Sequence, residues 1–254
     1  MYVNAYRGII ICRMPDLLQR KREKKMDITE LIGKLDEISA SGDHELYMKT
    51  ITEYISSYDS EHPEDLNGRS VLYNELGAHL RQTGTEDLGK KAFESAAEML
   101  EKLLEENPGD HTITMNLATT VNNLAGAYRL RKEYEKALAA FDRSMEIYKS
   151  LKDVPDNLFP SVYNNKGLVY LDLGEREKAT ECFDTALSLV EGEGYARGTT
   201  LWNMGFAYYR MGQYEKSAAL YREAASCFEK DGGSEELYKN SVKMAETLEA
   251  ALKK

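Results

Sequence analysis

The sequence predicts an all-α protein, a solenoid of stacked helix-turn-helix hairpins that ends in a capping helix. Two observations support this prediction. The segment from Asn164 to Val190 has counterparts elsewhere in the chain, and every copy keeps the same spacing of small, turn and aromatic residues. Within each copy the apolar residues follow a helical period that is broken once, at the turn. One such hairpin cannot bury its apolar face alone, whereas stacked hairpins can.

Four copies of this unit align without a gap on a small residue, which we call repeat position 0. Position 0 is Gly77, Ala125, Gly167 and Gly205, and position +3 is Leu80, Tyr128, Tyr170 and Tyr208. The turn is at position +7, as Gly84, Lys132, Gly174 and Gly212. The second helix then carries Gly89, Ala137, Ala179 and Ser217 at +12, Phe93, Phe141, Phe183 and Tyr221 at +16, and Ala96, Ser144, Ala186 and Ala224 at +19.

The copies begin 48, 42 and 38 residues apart, so that only the connections between them vary in length. These connections contain the residues that end one helix and begin the next: NPGD at 107–110, DVPDNLFP at 153–160 and GEGYARG at 192–198. The last of them lacks the GxGxxG spacing and a preceding strand, so it predicts a turn between repeats and not a phosphate-binding loop. The expected repeats are 66–107, 110–152, 160–191 and 196–230.

Both ends of the array are expected to be atypical, because the outer face of a terminal repeat meets water. Residues 27–61 are predicted to form a degenerate first hairpin around Gly42. Its apolar positions are Leu31, Leu35 and Ile38 in one helix and Ile51, Tyr54 and Ile55 in the other. Residues 234–254 are predicted to form the capping helix, with Ser234 as its N-cap.

The repeat spacing resembles that of the tetratricopeptide repeat (TPR), in which a Gly precedes a Tyr by three residues and an Ala, a Phe and a further Ala follow. The match is close in 123–144, 165–186 and 203–224, and weaker in the first copy, where Leu80 and Gly89 replace Tyr and Ala. The copies are longer than the usual repeat of about 34 residues, as in the kinesin-light-chain-like branch of the family. The resemblance implies a right-handed superhelical solenoid whose concave face is lined by the first helix of each hairpin. It implies little about function, because this fold serves many partners.

Composition and charge set the expected environment of the 254-residue chain, whose net charge is −10. Three cysteines, Cys12, Cys182 and Cys227, lack disulfide or metal spacing, and no apolar run reaches the length of a signal sequence or a membrane span. We therefore expect a cytoplasmic protein that does not enter a membrane.

Residues 1–26 differ from the rest, because residues 1–25 carry a net charge of +5 and the remainder −15. The favoured interpretation is a disordered tail. A basic arm that touches nucleic acid or an anionic membrane is the alternative, although neither is an expected partner. A third hypothesis is that translation starts at Met26, so that residues 1–25 are not made.

The sequence gives no sign of catalysis, of a metal or of a cofactor. The histidines His44, His62, His79 and His111 do not pair at metal-ligand spacing, and no nucleophile elbow, P-loop or kinase signature occurs. Most carboxylates lie in mixed-charge runs that are typical of solvated helix faces. The expected protein is non-catalytic.

The expected binding site is the concave face. The first helices of the four repeats carry a net charge of +4 and the rest of the chain after residue 25 carries −19, which favours a protein or peptide ligand with an acidic or C-terminal segment. Asn and Arg recur seven residues apart on these helices, and such pairs share a helix face. Asn amides can hold a peptide backbone and Arg can bind a carboxylate. The alternative is that the Asn residues join neighbouring helices and hold the repeats in register. The candidate peptide-binding residues are Asn74, Arg81, Asn122, Asn123, Arg129, Asn164, Asn165, Trp202, Asn203 and Arg210.

The leading functional hypothesis is an adaptor or scaffold that binds a peptide segment of a partner protein, as a monomer or a weak homo-oligomer. A carboxylate-clamp co-chaperone is disfavoured, because Thr119, Ser161, Thr199, Asn165 and Asn203 stand where that clamp needs fixed cations. A peptide-sensing regulator is a further alternative, because such regulators resemble this chain in their fold. They normally carry an effector domain as well, and no DNA-binding helix-turn-helix is evident before the repeats. A structural subunit of a larger assembly is the remaining alternative.

Overall fold

The computed structural model describes residues 27–58, 63–152, 154, 158–190, 192, 194–231 and 235–253. All regular secondary structure in this part of the chain is helical, which confirms the predicted all-α repeat solenoid. The basic tail of residues 1–26 and the predicted cap Ser234 lie outside the described residues. The helices are α1 Ile28–Ser41, α2 His44–Ser57, α3 Pro63–Gln82, α4 Glu86–Glu106, α5 His111–Leu130, α6 Tyr134–Ser150, α7 Leu158–Leu173, α8 Arg176–Ser188, α9 Tyr195–Arg210, α10 Tyr214–Asp231 and α11 Glu235–Leu252.

The chain divides into two compact units between Ile51 and Thr52, within α2. In the first unit, the Asp27 side chain accepts a hydrogen bond from the Thr29 amide and caps α1, which ends at Gly42 with a φ of 76°. The apolar positions predicted for this unit are buried: Leu31, Leu35, Ile38 and Ile51. The predicted first hairpin, 27–61, spans the division, and its place in the repeat array stays a prediction.

The second unit contains four helical hairpins and the final helix α11. We call α3, α5, α7 and α9 the A helices and α4, α6, α8 and α10 the B helices. Each A helix packs along the B helix of its own hairpin, consecutive A helices also touch, and α11 packs on α10. The ends of the hairpins differ from the predicted repeat bounds by one to three residues. Consecutive A helices therefore form one face of this unit, and the candidate site lies on that face.

Close contact between the two helices of a hairpin depends on the small residue at position 0. A Cβ placed on Gly167 would lie 2.8 Å from the ring of Phe183, and one on Gly77 would lie 2.7 Å from the ring of Phe93. Both rings are buried. At Gly205 the corresponding distance to Tyr221 is 3.2 Å. The aromatic residue at +16 thus packs directly on the A-helix backbone, as the small residue at position 0 predicts.

The turn between the two helices uses a left-handed residue in all four repeats. The φ angles are 77° at Gly84, 61° at Lys132, 79° at Gly174 and 77° at Gly212. The next residue then donates its amide hydrogen to the carbonyl at position +3, over 2.9 Å in every copy. This bond closes a Schellman-type helix end, for which glycine is the favoured left-handed residue. The four turns predicted from sequence are therefore confirmed, including the one in which lysine replaces glycine.

Lys132 is the one non-glycine residue with a positive φ in the described part of the chain. A side chain in this conformation costs about 1–2 kcal/mol because its Cβ crowds the backbone. Lys132→Gly is therefore expected to raise the free energy of unfolding by about 1 kcal/mol, measured by urea denaturation. The reverse change, Gly174→Lys, is the matched control and should lower it by a similar amount. A Lys132→Gly variant that is less stable than wild type would contradict this account of the turn.

Candidate functional site

A concave pocket of about 470 Å³ lies on the A-helix face of the second unit. Three consecutive A helices line it, and the lining is mostly polar. The lining residues are Arg81 and Gln82 of α3, Asn122, Asn123, Gly126, Arg129 and Leu130 of α5, and Ser161 and Asn165 of α7. The structure therefore brings together Arg81, Asn122, Asn123, Arg129 and Asn165 from the candidate residues predicted by sequence.

The asparagines form a ladder of hydrogen bonds between neighbouring A helices. The Asn123 amide donates to Oδ1 of Asn74 over 3.1 Å, and the Asn165 amide donates to Oδ1 of Asn122 over 3.5 Å. In both pairs the asparagine at position −2 donates to the asparagine at −3 of the preceding repeat. These bonds match the register role that the sequence left as an alternative. Each amide retains a further donor hydrogen and acceptor capacity, and these side chains are only partly buried. Register and ligand binding are therefore compatible roles.

Two of the three predicted ligand-binding arginines share an internal carboxylate. Asp172 accepts a hydrogen bond from Nε of Arg129 over 2.8 Å and one from Nη1 of Arg210 over 2.5 Å. Burial raises the pKa of Asp172, but the hydrogen bonds from Arg129 and Arg210 outweigh burial and hold this pKa below its usual value. In the sequence, Asp172 follows Asn165 by seven residues, the spacing at which an arginine follows an asparagine in the other repeats. In the structure it neutralises the neighbouring cations.

Arg81 is in a different situation. No carboxylate in the described part of the chain pairs with its guanidinium, whose Nη1 lies 3.1 Å from the position of a Cβ added to Gly126. Burial lowers the pKa of Arg81, and the positive charge of Arg129 lowers it further. Desolvation and a neighbouring cation both disfavour this charge, and the opposite charge of a bound anion would offset both effects.

The repeat register explains why Arg81 has no acid beside it. Arg81 and Arg129 both occupy position +4, and the acid that pairs with Arg129 occupies position +5 of the following repeat. For Arg81 the residue in that place is Leu130, which is partly exposed and lines the pocket. The pocket thus presents one cation whose internal partner is replaced by an apolar side chain.

The other cations counted on the A helices do not all add to the charge of the pocket. Lys166 pairs with Asp142 of the B helix α6 over 2.5 Å. Arg131, just after α5, pairs with Asp87 and Glu133. The net positive charge that the sequence predicts for the A helices is therefore reduced, because acids of helix ends and B helices neutralise Lys166 and Arg131 and Asp172 neutralises Arg129. Of the two arginines that line the pocket, Arg81 alone has no carboxylate partner among the described residues.

The remaining candidate residues lie outside the pocket lining. Asn164 is 4% exposed, and its amide donates to Oγ1 of Thr200 over 2.9 Å. This side chain lies between α7 and α9, so it does not reach the concave face as the sequence analysis expected. Trp202 packs edge-on against Tyr221 at 4.8 Å between ring centroids, beside α11. Packing thus accounts for this tryptophan, and its predicted part in peptide binding stays a prediction.

Asn203 and Arg210 lie further along the A-helix face, on α9. Asn203 is partly exposed there, and Arg210 reaches back to Asp172 as described above. Neither residue lines the pocket, so their part in binding stays a prediction.

Sequence analysis did not single out a group of exposed aromatic side chains at the last repeat. Phe206 and Tyr209 of α9 are 37% and 44% exposed, and the Tyr209 ring lies 5.7 Å from that of Tyr214. Arg210 lies over the Phe206 ring at 5.9 Å. Phe206 and Tyr209 occupy positions +1 and +4, which in the second repeat line the pocket as Gly126 and Arg129. Comparing equivalent A-helix positions would have shown them from the sequence.

Comparison with known proteins supports the repeat assignment. Models of the tetratricopeptide repeat match residues 117–151 and 158–230. No curated protein sequence matches the chain significantly. In the described part of the chain, no helix is both long enough and apolar enough to cross a lipid bilayer.

Several solved structures share the fold. BtubC (BKLC) from P. vanneervenii is 21% identical, with 79% of each chain covered and a TM-score of 0.58. TPR-like repeats assigned to a kinesin light chain from Podosopora anserina are 15% identical, with 79% of this chain and 94% of that chain covered and a TM-score of 0.56. PlcR from Bacillus thuringiensis, solved with the peptide PapR7 and DNA, is 13% identical, with 85% and 73% covered and a TM-score of 0.60. At these identities the likeness concerns the fold alone.

Proposed function

We propose that this chain, in which tetratricopeptide-repeat models match residues 117–151 and 158–230, is a non-catalytic adaptor that binds an extended segment of another protein in the pocket on α3, α5 and α7. The observation that carries the proposal is Arg81, a partly buried cation with no carboxylate partner among the described residues, on the wall of a polar pocket. A site of this kind is suited to an acidic side chain or a terminal carboxylate of the bound segment.

The asparagines complete the site. An extended segment offers a backbone donor and acceptor at each residue, and the free donor and acceptor positions of Asn122, Asn123 and Asn165 can pair with them whatever the side chains are. Arg81 then selects for a negative charge at one position of the segment. Leu130 beside it offers a small apolar surface to the neighbouring ligand residue. Backbone binding would provide affinity and Arg81 would provide selectivity.

The net negative charge of the chain affects how an acidic partner approaches the pocket. A net charge of −10 repels acidic partners at long range, but salt screens such repulsion beyond about 8 Å at physiological ionic strength. Of the two arginines that line the pocket, Arg129 is neutralised by Asp172, so the attraction of an acidic group is local to Arg81. We therefore expect weak electrostatic steering of an acidic segment toward the pocket, and an association rate that rises with added salt. The solved complex of PlcR with PapR7 shows that a protein with a similar fold can hold a peptide.

The proposal is tested by selecting displayed random peptides of about twelve residues, long enough to cross several A helices when extended. The peptides selected on the wild-type chain are expected to contain an acidic residue. Their affinity should fall at least about tenfold with Arg81→Gln, which removes one charge-assisted contact. Arg176→Gln is the matched control, because Arg176 is an exposed arginine at the start of the B helix α8.

Melting temperature and circular dichroism must be measured on the same samples. The expected result is that both arginine variants fold like wild type and only Arg81→Gln loses binding. Selected peptides that bind the Arg81→Gln variant as tightly as wild type would place the binding surface elsewhere.

A further inference from the structure

The arginine at position +4 recurs in the first two repeats, as Arg81 and Arg129, and Arg129 is paired with Asp172. We propose that each arginine marks a site for an anion, and that Asp172 acts as an internal ligand that closes the site at Arg129. The number of acidic groups that the A-helix face accepts is thereby set to one. This inference rests on the proposed function, because it concerns how many charges of a bound segment the A-helix face can hold.

The internal comparison comes from the repeat register. In the step from the second to the third repeat, the arginine at +4 meets Asp172 at +5, and Arg210 of the fourth repeat adds a second contact. In the step from the first to the second repeat, the residue at +5 is Leu130, which lines the same pocket as the arginine at +4. One step of the array thus carries its own carboxylate, and the other leaves a cation for an external one.

An external carboxylate competes poorly for the closed site. Asp172 is held on the same helix array, so its effective concentration at Arg129 is that of a tethered group, in the millimolar range or above. Its side chain is 18% exposed and contacts both Arg129 and Arg210. A ligand carboxylate would have to displace an already desolvated and doubly bonded one and would gain little. Asp172 therefore determines specificity by occupying the site that a second acidic residue of a ligand would otherwise use.

The spacing of the two sites defines the probes. Neighbouring A helices lie about 8–10 Å apart, which an extended chain covers in about three residues. Two fluorescein-labelled Gly/Ser peptides are therefore compared by anisotropy. One carries a single Glu at its centre, and the other carries a second Glu three residues away.

Wild type should bind the two peptides with similar affinity, apart from a statistical factor of about two for the second peptide. Asp172→Asn, which keeps the shape of the side chain and frees Arg129 and Arg210, should bind the two-Glu peptide at least about tenfold more tightly than the one-Glu peptide. The complementary variant, Leu130→Asp, places a carboxylate beside Arg81. It should fold normally and lose binding of both peptides at least about tenfold.

The outcomes separate the two proposals. If wild type binds the one-Glu peptide through Arg81 but Asp172→Asn shows no preference for the two-Glu peptide, the internal-ligand proposal is overturned and the proposed function stands. Should Asp172→Asn fail to fold, Leu130→Asp decides: unchanged binding overturns the proposal, and loss of binding with a wild-type melting temperature supports it. If neither peptide binds any folded variant, both proposals are overturned.

Discussion

Replacing Gly167 with leucine is expected to lower the free energy of unfolding by about 3 kcal/mol, at the upper end of the cost of overpacking a core. Even the first carbon of the new side chain would lie 2.8 Å from the ring of Phe183. That ring is 1% exposed and belongs to a core cluster with residues of α7, α8 and α9, so it has no solvent-filled space to enter. The two helices of the hairpin would have to separate. Urea denaturation of the full chain measures the loss.

Gly126→Leu is the matched control in the same unit. Gly126 is also in an A helix, but the atom nearest to an added Cβ is the terminal nitrogen of Arg81, which can move away. Leucine also favours a helix over glycine by about 0.8 kcal/mol. The control should therefore change stability by no more than about 1 kcal/mol. Equal losses at Gly126 and Gly167 would contradict the assignment of position 0 as the point of closest helix contact.

Deleting α11 by ending the chain after Asp231 is expected to abolish cooperative unfolding or to cause aggregation. In the full chain, Met244, Ala245 and Leu248 of α11 cover Trp202 and Tyr221. Uncovering a large apolar side chain costs about 1.5–3 kcal/mol, and several are uncovered at once. This sum is comparable to the whole stability of a typical domain. Thermal melting followed by circular dichroism, together with light scattering, measures both results.

A control for this deletion removes only the polar part of the same interface. Arg222 of α10 makes a two-bond ion pair with Glu249 of α11, and both side chains are exposed. Arg222→Ala should therefore cost no more than about 1 kcal/mol. A truncated chain that stays monomeric and melts like wild type would show that α11 does not cap the array.

The features that depend on local geometry could be predicted from sequence. Position +7 needs a left-handed residue, so three glycines at one spacing identify the turn, and Lys132 follows by alignment alone. The weaker first copy also has a physical explanation. In the later copies a lysine at +11 lies over the tyrosine at +3, at 5.6, 5.4 and 5.3 Å. In the first copy both are leucines, Leu80 and Leu88, so the ring and its cation are replaced together.

The direction of polar side chains could not be predicted in the same way. Asn122 and Asn164 occupy the same repeat position, −3, and the sequence treats them alike. Asn122 lines the pocket, whereas Asn164 is buried because Thr200 of the next A helix offers its amide a hydrogen-bond partner. A partner 36 residues away decides the difference. The same limit applies to Asp172, whose two arginine partners come from the preceding and the following repeat.

The central claim is that a ligand carboxylate binds at Arg81, and the side-chain Nε–Hε resonances of arginine report on it directly. A chain labelled with ¹⁵N in its arginines would be titrated with a selected acidic peptide, with the Arg81 signal assigned from its absence in Arg81→Gln. At saturation the Arg81 signal is predicted to shift, while that of Arg143, which pairs with Glu101 on the B helices, stays in place. A saturated peptide that leaves the Arg81 signal unmoved would contradict the account.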